Sequence, residues 1–308
     1  MAYKFEVVGV GCAASDTLCI YEGDIDADSK MQVHDMTHQG GGLVGTGLVA
    51  VARLGGKCRF LGKVGDDAVG TFIRTEFERE GVDVSGLVMV PGMSGICSFC
   101  VVNPKKGIRT IFFSMDRVPA LAAADIVRDH VLSAGILYVD GFFLEGAIQA
   151  ARWAREAGRT VVMDAELTAP DNDILMDLST HVVASHAFAR SRVGDIPPQQ
   201  AARALFERLR VKDPAKVVGV TAGVQGSYFV SAAGEFHQPA FEVKVLDTTG
   251  CGDVFHGAFV YGLTQGWELQ RIVRFASAVA AIKATKLGGR AGIPSRPETD
   301  QFLAAQKA

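Results

Sequence analysis

Residues 135–166, GILYVDGFFLEGAIQAARWAREAGRTVVMDAE, decide the fold. GILYVDG (135–141) is an apolar run of strand length closing on glycine, EGAIQAARWAREAG (145–158) reads as a helix, and RTVVMDAE (159–166) is a second strand. Buried strands alternating with amphipathic helices indicate βαβ units and a parallel sheet covered on both faces. The alternation continues through HVVASHA (181–187, strand), PPQQAARALFERLR (197–210, helix) and AKVVGVTAG (215–223, strand). Upstream lie the strand FEVVGVG (5–11), a glycine-rich entry to a helix in GGGLVGTGLVAVARLGG (40–56), and the strand CRFLGKVG (58–65). The helix AVGTFIRTEFEREG (68–81) follows, with Val69, Phe72, Ile73 and Phe77 at helical spacing.

Two stretches do not fit that sheet. LCIYEGDIDADSKMQVHDM (18–36) has mixed polarity with acidic Asp24, Asp26 and Asp28, and reads as two irregular strands. Residues 95–115 read as a hairpin turning at Pro104–Gly107. The expected fold class is therefore α/β: a doubly wound, mostly parallel sheet in three α/β/α layers. A single domain over 1–308 would carry a small β-sheet lid built from discontinuous segments, 15–40 and 94–115.

Composition narrows the function. Of 308 residues, 48% are hydrophobic and 21% charged, the balance of a folded globular chain. With 31 basic and 34 acidic side chains the net charge is −3, which offers no basic field to a nucleic acid. No run of about 20 apolar residues suits a membrane span. The N-terminus reads as a first strand rather than a signal peptide, so a cytoplasmic protein is expected, and six cysteines at this length suit a reducing compartment. Cys97 and Cys100 form a C-x-x-C, but on a strand residues three apart point to opposite faces, so they read as small apolar residues. His34 and His38 are four apart, yet Asp35 stands where a zinc-protease helix needs Glu, and surface polar residues are the better reading.

Three glycine patterns compete. Gly9, Gly11 and Ala14 form G-x-G-x-x-A after the first strand, but no helical face follows Ala14, which demotes a dinucleotide site. No G-x-x-x-x-G-K-[ST] occurs. The strongest segment is Asp247-Thr248-Thr249-Gly250-Cys251-Gly252-Asp253, opening into VFHGAFVYGL. Glycines let successive amides converge, and Val254, Phe255, Ala258 and Phe259 have helical spacing, so the amides meet at a helix N-terminus and make an anion site. An anion hole beside a carboxylate is what phosphoryl transfer to an alcohol requires. Asp253 as a plain N-cap is the bland alternative.

DTTGCGD followed by a helix resembles the D-T-x-G-A-G-D signature of the PfkB, or ribokinase-like, carbohydrate kinases, with Cys251 in place of Ala. Gly41-Gly42 with ARLGG, GKVGDDAVG, Thr221-x-Gly223-x-x-Gly226 and LGGRAGIP are similar to further family segments in the same order, over nearly the whole chain. The resemblance implies an ATP-dependent sugar kinase of ribokinase-like fold. Asp253 would be the base, and the Gly250, Cys251 and Gly252 amides the anion hole. Asp16, Gly41, Gly42 and Thr46 would hold sugar hydroxyls, and Thr221, Gly223 and Gly226 would line ATP, with Ser185 beside them. The carbonyls of Asp247 and Thr249 would hold a monovalent cation, usually potassium, and magnesium would travel with ATP.

Two departures bear on the substrate. Ser185-His186-Ala187-Phe188 stands where family members often show N-x-x-E, so a magnesium-organising Glu is missing there. Thr46 stands where ribokinases commonly have Asn. The C-terminal half looks closest to ketose-kinase branches, including sulfofructose kinase, whose charged substrate would want Lys30 or Arg109 on the lid. Phe142 and Phe143 offer apolar surface instead of an Arg, which favours an uncharged ketose or related polyol. A sulfonated or phosphorylated sugar, a nucleoside, or a silent sugar sensor remain the alternatives. Exposed lid edges suggest a homodimer.

Overall fold

The computed structural model describes residues 3–167 and 171–306. β1 (Phe5–Val10) leads to β2 (Ala14–Ile20) and β3 (His34–Gly41), then to α1 (Leu43–Arg53) and β4 (Cys58–Gly65). α2 (Ala68–Arg79), β5 (Asp83–Val90), β6 (Ile96–Asn103), β7 (Ile108–Ser114) and a short α3 (Arg128–Val131) follow. The alternating half comprises β8 (Ala134–Asp140), α4 (Leu144–Glu156), β9 (Thr160–Ala165), α5 (Asn172–Leu178), β10 (His181–Ser185), α6 (His186–Val193), α7 (Pro198–Arg210) and β11 (Val217–Thr221). An edge hairpin, β12 (Ser227–Ser231) and β13 (Gly234–Gln238), precedes α8 (Cys251–Thr264), α9 (Leu269–Lys283) and α10 (Arg296–Ala305).

The main sheet has nine strands in the order β13-β12-β11-β10-β9-β8-β1-β4-β5. Only the β11–β12 and β12–β13 pairs are antiparallel. Period-two side chains place each central strand in two cores at once. Leu137, Val139, Val161 and Met163 pack with α4 and α7 on one face. Their neighbours Ile136, Tyr138 and Val162 pack with α1, α8 and α9 on the other. Burying each such side chain stabilises the fold by about 1.5–3 kcal/mol before entropy is counted. α4 closes on the sheet through Ala147, Ala150, Ala151 and Ala154, a stripe at helical spacing that brings its backbone near. The result is the expected three-layer α/β/α fold with a small second sheet.

That second sheet has the order β3-β2-β6-β7, with β2 and β6 parallel and two antiparallel hairpin pairs outside them. Leu18, Cys100 and Val102 face inward against Leu287, while Phe99 and Phe112, paired in register, are exposed on the other side; Phe113, opposite Ser98, is exposed at the edge strand. One sequence expectation is corrected. The apolar run 181–187 does not remain a strand: it ends at Ser185, whose Oγ accepts the Phe188 amide at 3.1 Å and caps α6.

β1 sits where the strand order reverses, with β4 on one side and β8 on the other, so a crevice opens at its carboxyl end. Asp140, ending β8, fixes that crevice. Its carboxylate accepts the amides of Cys12 (2.7 Å), Phe142 (2.9 Å) and Val44 (3.3 Å). Burial nevertheless pushes its pKa up to about 6.

Candidate active site

α8 brings the DTTGCGD turn over the carboxyl ends of the sheet. Asp164 at the end of β9 accepts the Tyr138 hydroxyl at 3.2 Å and lies 3.2 Å from His256 Nδ1. The His256 ring also meets the carbonyls of Gly252 (2.7 Å) and Val183 (3.1 Å), so the first turns of α8 are anchored to β8, β9 and β10.

Asp247 shapes the turn. Its Oδ1 accepts the Thr249 amide (2.8 Å) and hydroxyl (2.7 Å), and its Oδ2 accepts the Gly288 amide at 2.7 Å. Gly250 then takes φ +74°, the left-handed region, and a Cβ there would stand 2.7 Å from Gly289 Cα. The Cys251 amide closes the turn on the Thr248 carbonyl at 3.2 Å. Cys251 Sγ points away toward the Ala280 carbonyl, 3.7 Å off, so the thiol leaves the amides uncovered. The first helical positions have no i−4 acceptor, and the dipole adds positive character there.

Asp253 stands on this first turn, half-buried. Its carboxyl is held well above the usual carboxylate range, first by burial and then by the negative charges of Glu166 and Asp16; Arg109 opposes them. A basic carboxylate beside an amide cradle can take a proton from an alcohol while the amides receive negative charge.

Asp16 lies on β2, its Oδ1 accepting the Ser98 hydroxyl at 2.7 Å. Its other oxygen crosses so close over Gly41 that any Cβ there would overlap it, which explains glycine at that position. Burial raises the Asp16 pKa, with Ser98 and Arg290 opposing. Gly42 precedes the first turn of α1. Thr46 is buried, 1% exposed, its hydroxyl 3.4 Å from Arg290 Nε. Arg109 reaches from β7 to the Thr248 hydroxyl at 3.2 Å, bridging lid and cradle. Lys30 is exposed on the β2–β3 connection with no hydrogen bond or ion pair to the site. Phe142 and Phe143 pack near Cys12, Ala14 and Ile96.

Ser185 and Thr221 are paired at the carboxyl ends of β10 and β11. Gly223 and Gly226 bound the tight turn that follows, closed by the Ala222 amide on the Gly226 carbonyl at 2.8 Å.

Four residues escaped the sequence reading. Asp164 and Glu166 are two apart at the end of β9, a spacing that alternation could have placed on one face. Arg290, 3% exposed, donates to the Gly41 carbonyl at 2.8 Å and approaches Asp16. Lys283, fully buried, donates from Nζ to the Asp247 carbonyl at 2.9 Å, the carbonyl expected to hold a monovalent cation.

This fold, with its lid, its amide turn and its basic carboxylate, defines a phosphotransferase acting on an alcohol group. Residues 5–296 match the model of the pfkB family carbohydrate kinases, and the chain belongs to that family. It is 26% identical to the 5-dehydro-2-deoxygluconokinase of Bacillus subtilis (strain 168), covering 98% of this chain and 97% of that one. It is 28% identical to the aminoimidazole riboside kinase of Salmonella typhimurium, covering 93% and 94%. A crystal structure of a ribokinase-like protein from Agrobacterium tumefaciens superposes with a TM-score of 0.90 at 28% identity, over 99% of both chains. ATP-dependent phosphorylation of a sugar or nucleoside is the activity of this class. No helix among the described residues is long and apolar enough to cross a membrane.

Proposed function

We propose that this chain, as one catalytic domain, transfers the γ-phosphoryl group of ATP to a hydroxymethyl group of a sugar. The observation that carries the reading is the placement of Asp253 on the first turn of α8, beside the amides that follow a left-handed Gly250. Asp253 would remove the hydroxymethyl proton as the new O–P bond forms and the bond to the departing ADP oxygen breaks. The amides of Gly250 and Gly252 would receive the charge on the transferred group, the expected third donor, Cys251, having its amide bonded to the Thr248 carbonyl. ATP would lie along the ends of β10 and β11 against Thr221, Gly223 and Gly226, near Ser185.

Magnesium, when bound, neutralises phosphate oxygens and arrives largely held by them and by water. Glu166 is exposed at the end of β9 and acts electrostatically on Asp253, so it suits the metal's water shell where Phe188 cannot. Asp16 would accept bonds from sugar hydroxyls, with Gly41, Gly42 and Thr46 forming the floor.

An uncharged ketose or pentose is the first reading of the acceptor. Arg109, at the edge of the cradle, favours a sugar acid as the second, and the named substrate of the Bacillus subtilis relative is such an acid. ADP release from MgATP over D-fructose, D-ribose, aminoimidazole riboside, a sulfofructose and 5-dehydro-2-deoxygluconate decides between them. Turnover of a neutral sugar supports the first reading and turnover of acids alone the second. Absence of both turnover and ATP binding would refute the kinase reading.

We also propose a homodimer through the lid. Phe99, Phe112 and Phe113 border an open groove of about 550 Å³ beside Phe72 of α2, an apolar surface that a second copy would cover. A monomer by light scattering at micromolar concentration would remove this part.

A further inference from the structure

We propose that the ammonium group of Lys283 is a built-in substitute for a monovalent metal ion beneath the phosphoryl-transfer cradle, so that this kinase works without potassium. The inference rests on the kinase reading above for the meaning of the cradle, and on the structure for the position of the charge. Lys283 ends α9, is 0% exposed, and donates to the Asp247 carbonyl at 2.9 Å. That carbonyl belongs to the residue whose carboxylate organises the turn through Thr249 and Gly288.

The surroundings are those of an enclosed cation. The amides of Leu246 and Asp247 both donate to the Ala284 carbonyl, at 2.8 and 3.1 Å, tying the turn to the end of α9. The loop after α9 closes another side, where a Cβ on Gly292 would stand 2.6 Å from the Lys283 carbonyl. Burial lowers the Lys283 pKa from the ordinary lysine value, and Cys251, Asp247 and Asp253 oppose that by favouring the ammonium form. A metal ion at the same carbonyl would face the ammonium within a few ångströms. Repulsion between two unit charges about 4 Å apart near a protein surface weakens such binding by roughly a thousandfold. The Asp247 carbonyl, bonded to this ammonium, therefore does not fit a potassium site here.

The second buried lysine of the described residues shows the contrast. Lys216 Nζ donates to the carbonyls of Met176, Asp177 and Ser179 and closes the end of α5, away from the cradle. Lys283 instead spends its bond on the turn that presents the anion hole. It is a positioning residue acting through Asp247, and its charge lies under the amides that meet the phosphoryl group.

The test compares KCl, NH₄Cl and choline chloride at equal ionic strength, reading thermal melting and calorimetric MgATP affinity. The wild-type protein should melt at one temperature in KCl and choline chloride and bind MgATP with equal affinity in both. Lys283→Ala opens a cation-sized space. It should melt several degrees higher in KCl or NH₄Cl than in choline, and lose about tenfold in MgATP affinity unless one of those ions is supplied. Lys283→Met fills the space with an apolar chain and should show no ion-specific response. A wild-type protein stabilised or tightened by potassium would overturn the proposal, as would a folded Lys283→Ala indifferent to all three salts. If Lys283→Ala does not fold, the wild-type comparison alone still decides whether an ion is required. Failure of the kinase reading would look different: MgATP would not bind in any salt, while the melting comparison would still report on Lys283.

Discussion

Two alanine substitutions, two residues apart, should separate the folding of the cradle from its chemistry. At Gly250 the backbone is left-handed, φ +74°, which costs a residue with a Cβ about 1–2 kcal/mol. The new methyl would also stand 2.7 Å from Gly289 Cα and 3.0 Å from its carbonyl oxygen. Those are backbone atoms that cannot swing aside, so overpacking adds about 1–3 kcal/mol. Gly250→Ala should therefore lose about 2–5 kcal/mol from a total near 5–15 kcal/mol. Gly252 is the opposite case: a Cβ there meets no heavy atom within 4 Å. Gly252→Ala should keep its unfolding free energy within about 0.5 kcal/mol of wild type, or gain slightly from helix propensity. Its methyl, however, occupies the open side of the amides, and displacing the phosphoryl group by an ångström costs about 100-fold in turnover. Urea unfolding followed by tryptophan fluorescence reads the first effect and coupled ADP release the second. Wild-type turnover by Gly252→Ala would mean that the phosphoryl group is not held there, and an undiminished Gly250→Ala would refute the steric argument.

Asp16→Ala removes a half-buried carboxylate acceptor, and hydrogen bonds to charged groups contribute about 1.5–3 kcal/mol. The sugar KM should rise roughly 10- to 100-fold with the ATP KM little changed; a change confined to ATP would place Asp16 elsewhere. Asp140 supplies a pH signature. Its pKa is raised from the usual 3.8 to about 6, so the folded state binds the proton more tightly than the unfolded state between those values. Its contribution to stability is present below about pH 4 and is lost as pH rises through about 6. Asp140→Asn has no such proton, so the wild-type minus variant unfolding free energy should fall by roughly 3 kcal/mol from pH 4 to 7 in urea titrations. A difference that stays flat with pH would exclude the burial cost.

The legible parts of the fold are those decided locally. β8, β9, β10 and β11 are covered on both faces, so their apolar runs stand out, and the glycine turn before α8 announces itself within seven residues. The partly exposed edge strands β5 and β13 carry no such run, and β12, though largely buried, is only five residues long between turns. α6 was hidden because the apolar stretch of β10 flows into it and only the Ser185 cap divides them. In the site, Asp253 and Asp16 could be named from motif and resemblance. Arg290 could not, because it meets Gly41 across 249 positions of sequence, nor could Lys283, which meets Asp247 only after a helical hairpin has folded back. Side chains that act through long-range burial leave no local pattern.

The cradle beside a proton acceptor is tested most directly by turnover and ligand binding of Asp253→Asn, an isosteric change that removes only the base. The account predicts that MgATP and sugar still bind, by calorimetry, while turnover falls about 10²- to 10⁴-fold. Turnover within tenfold of wild type, with binding intact, would contradict it.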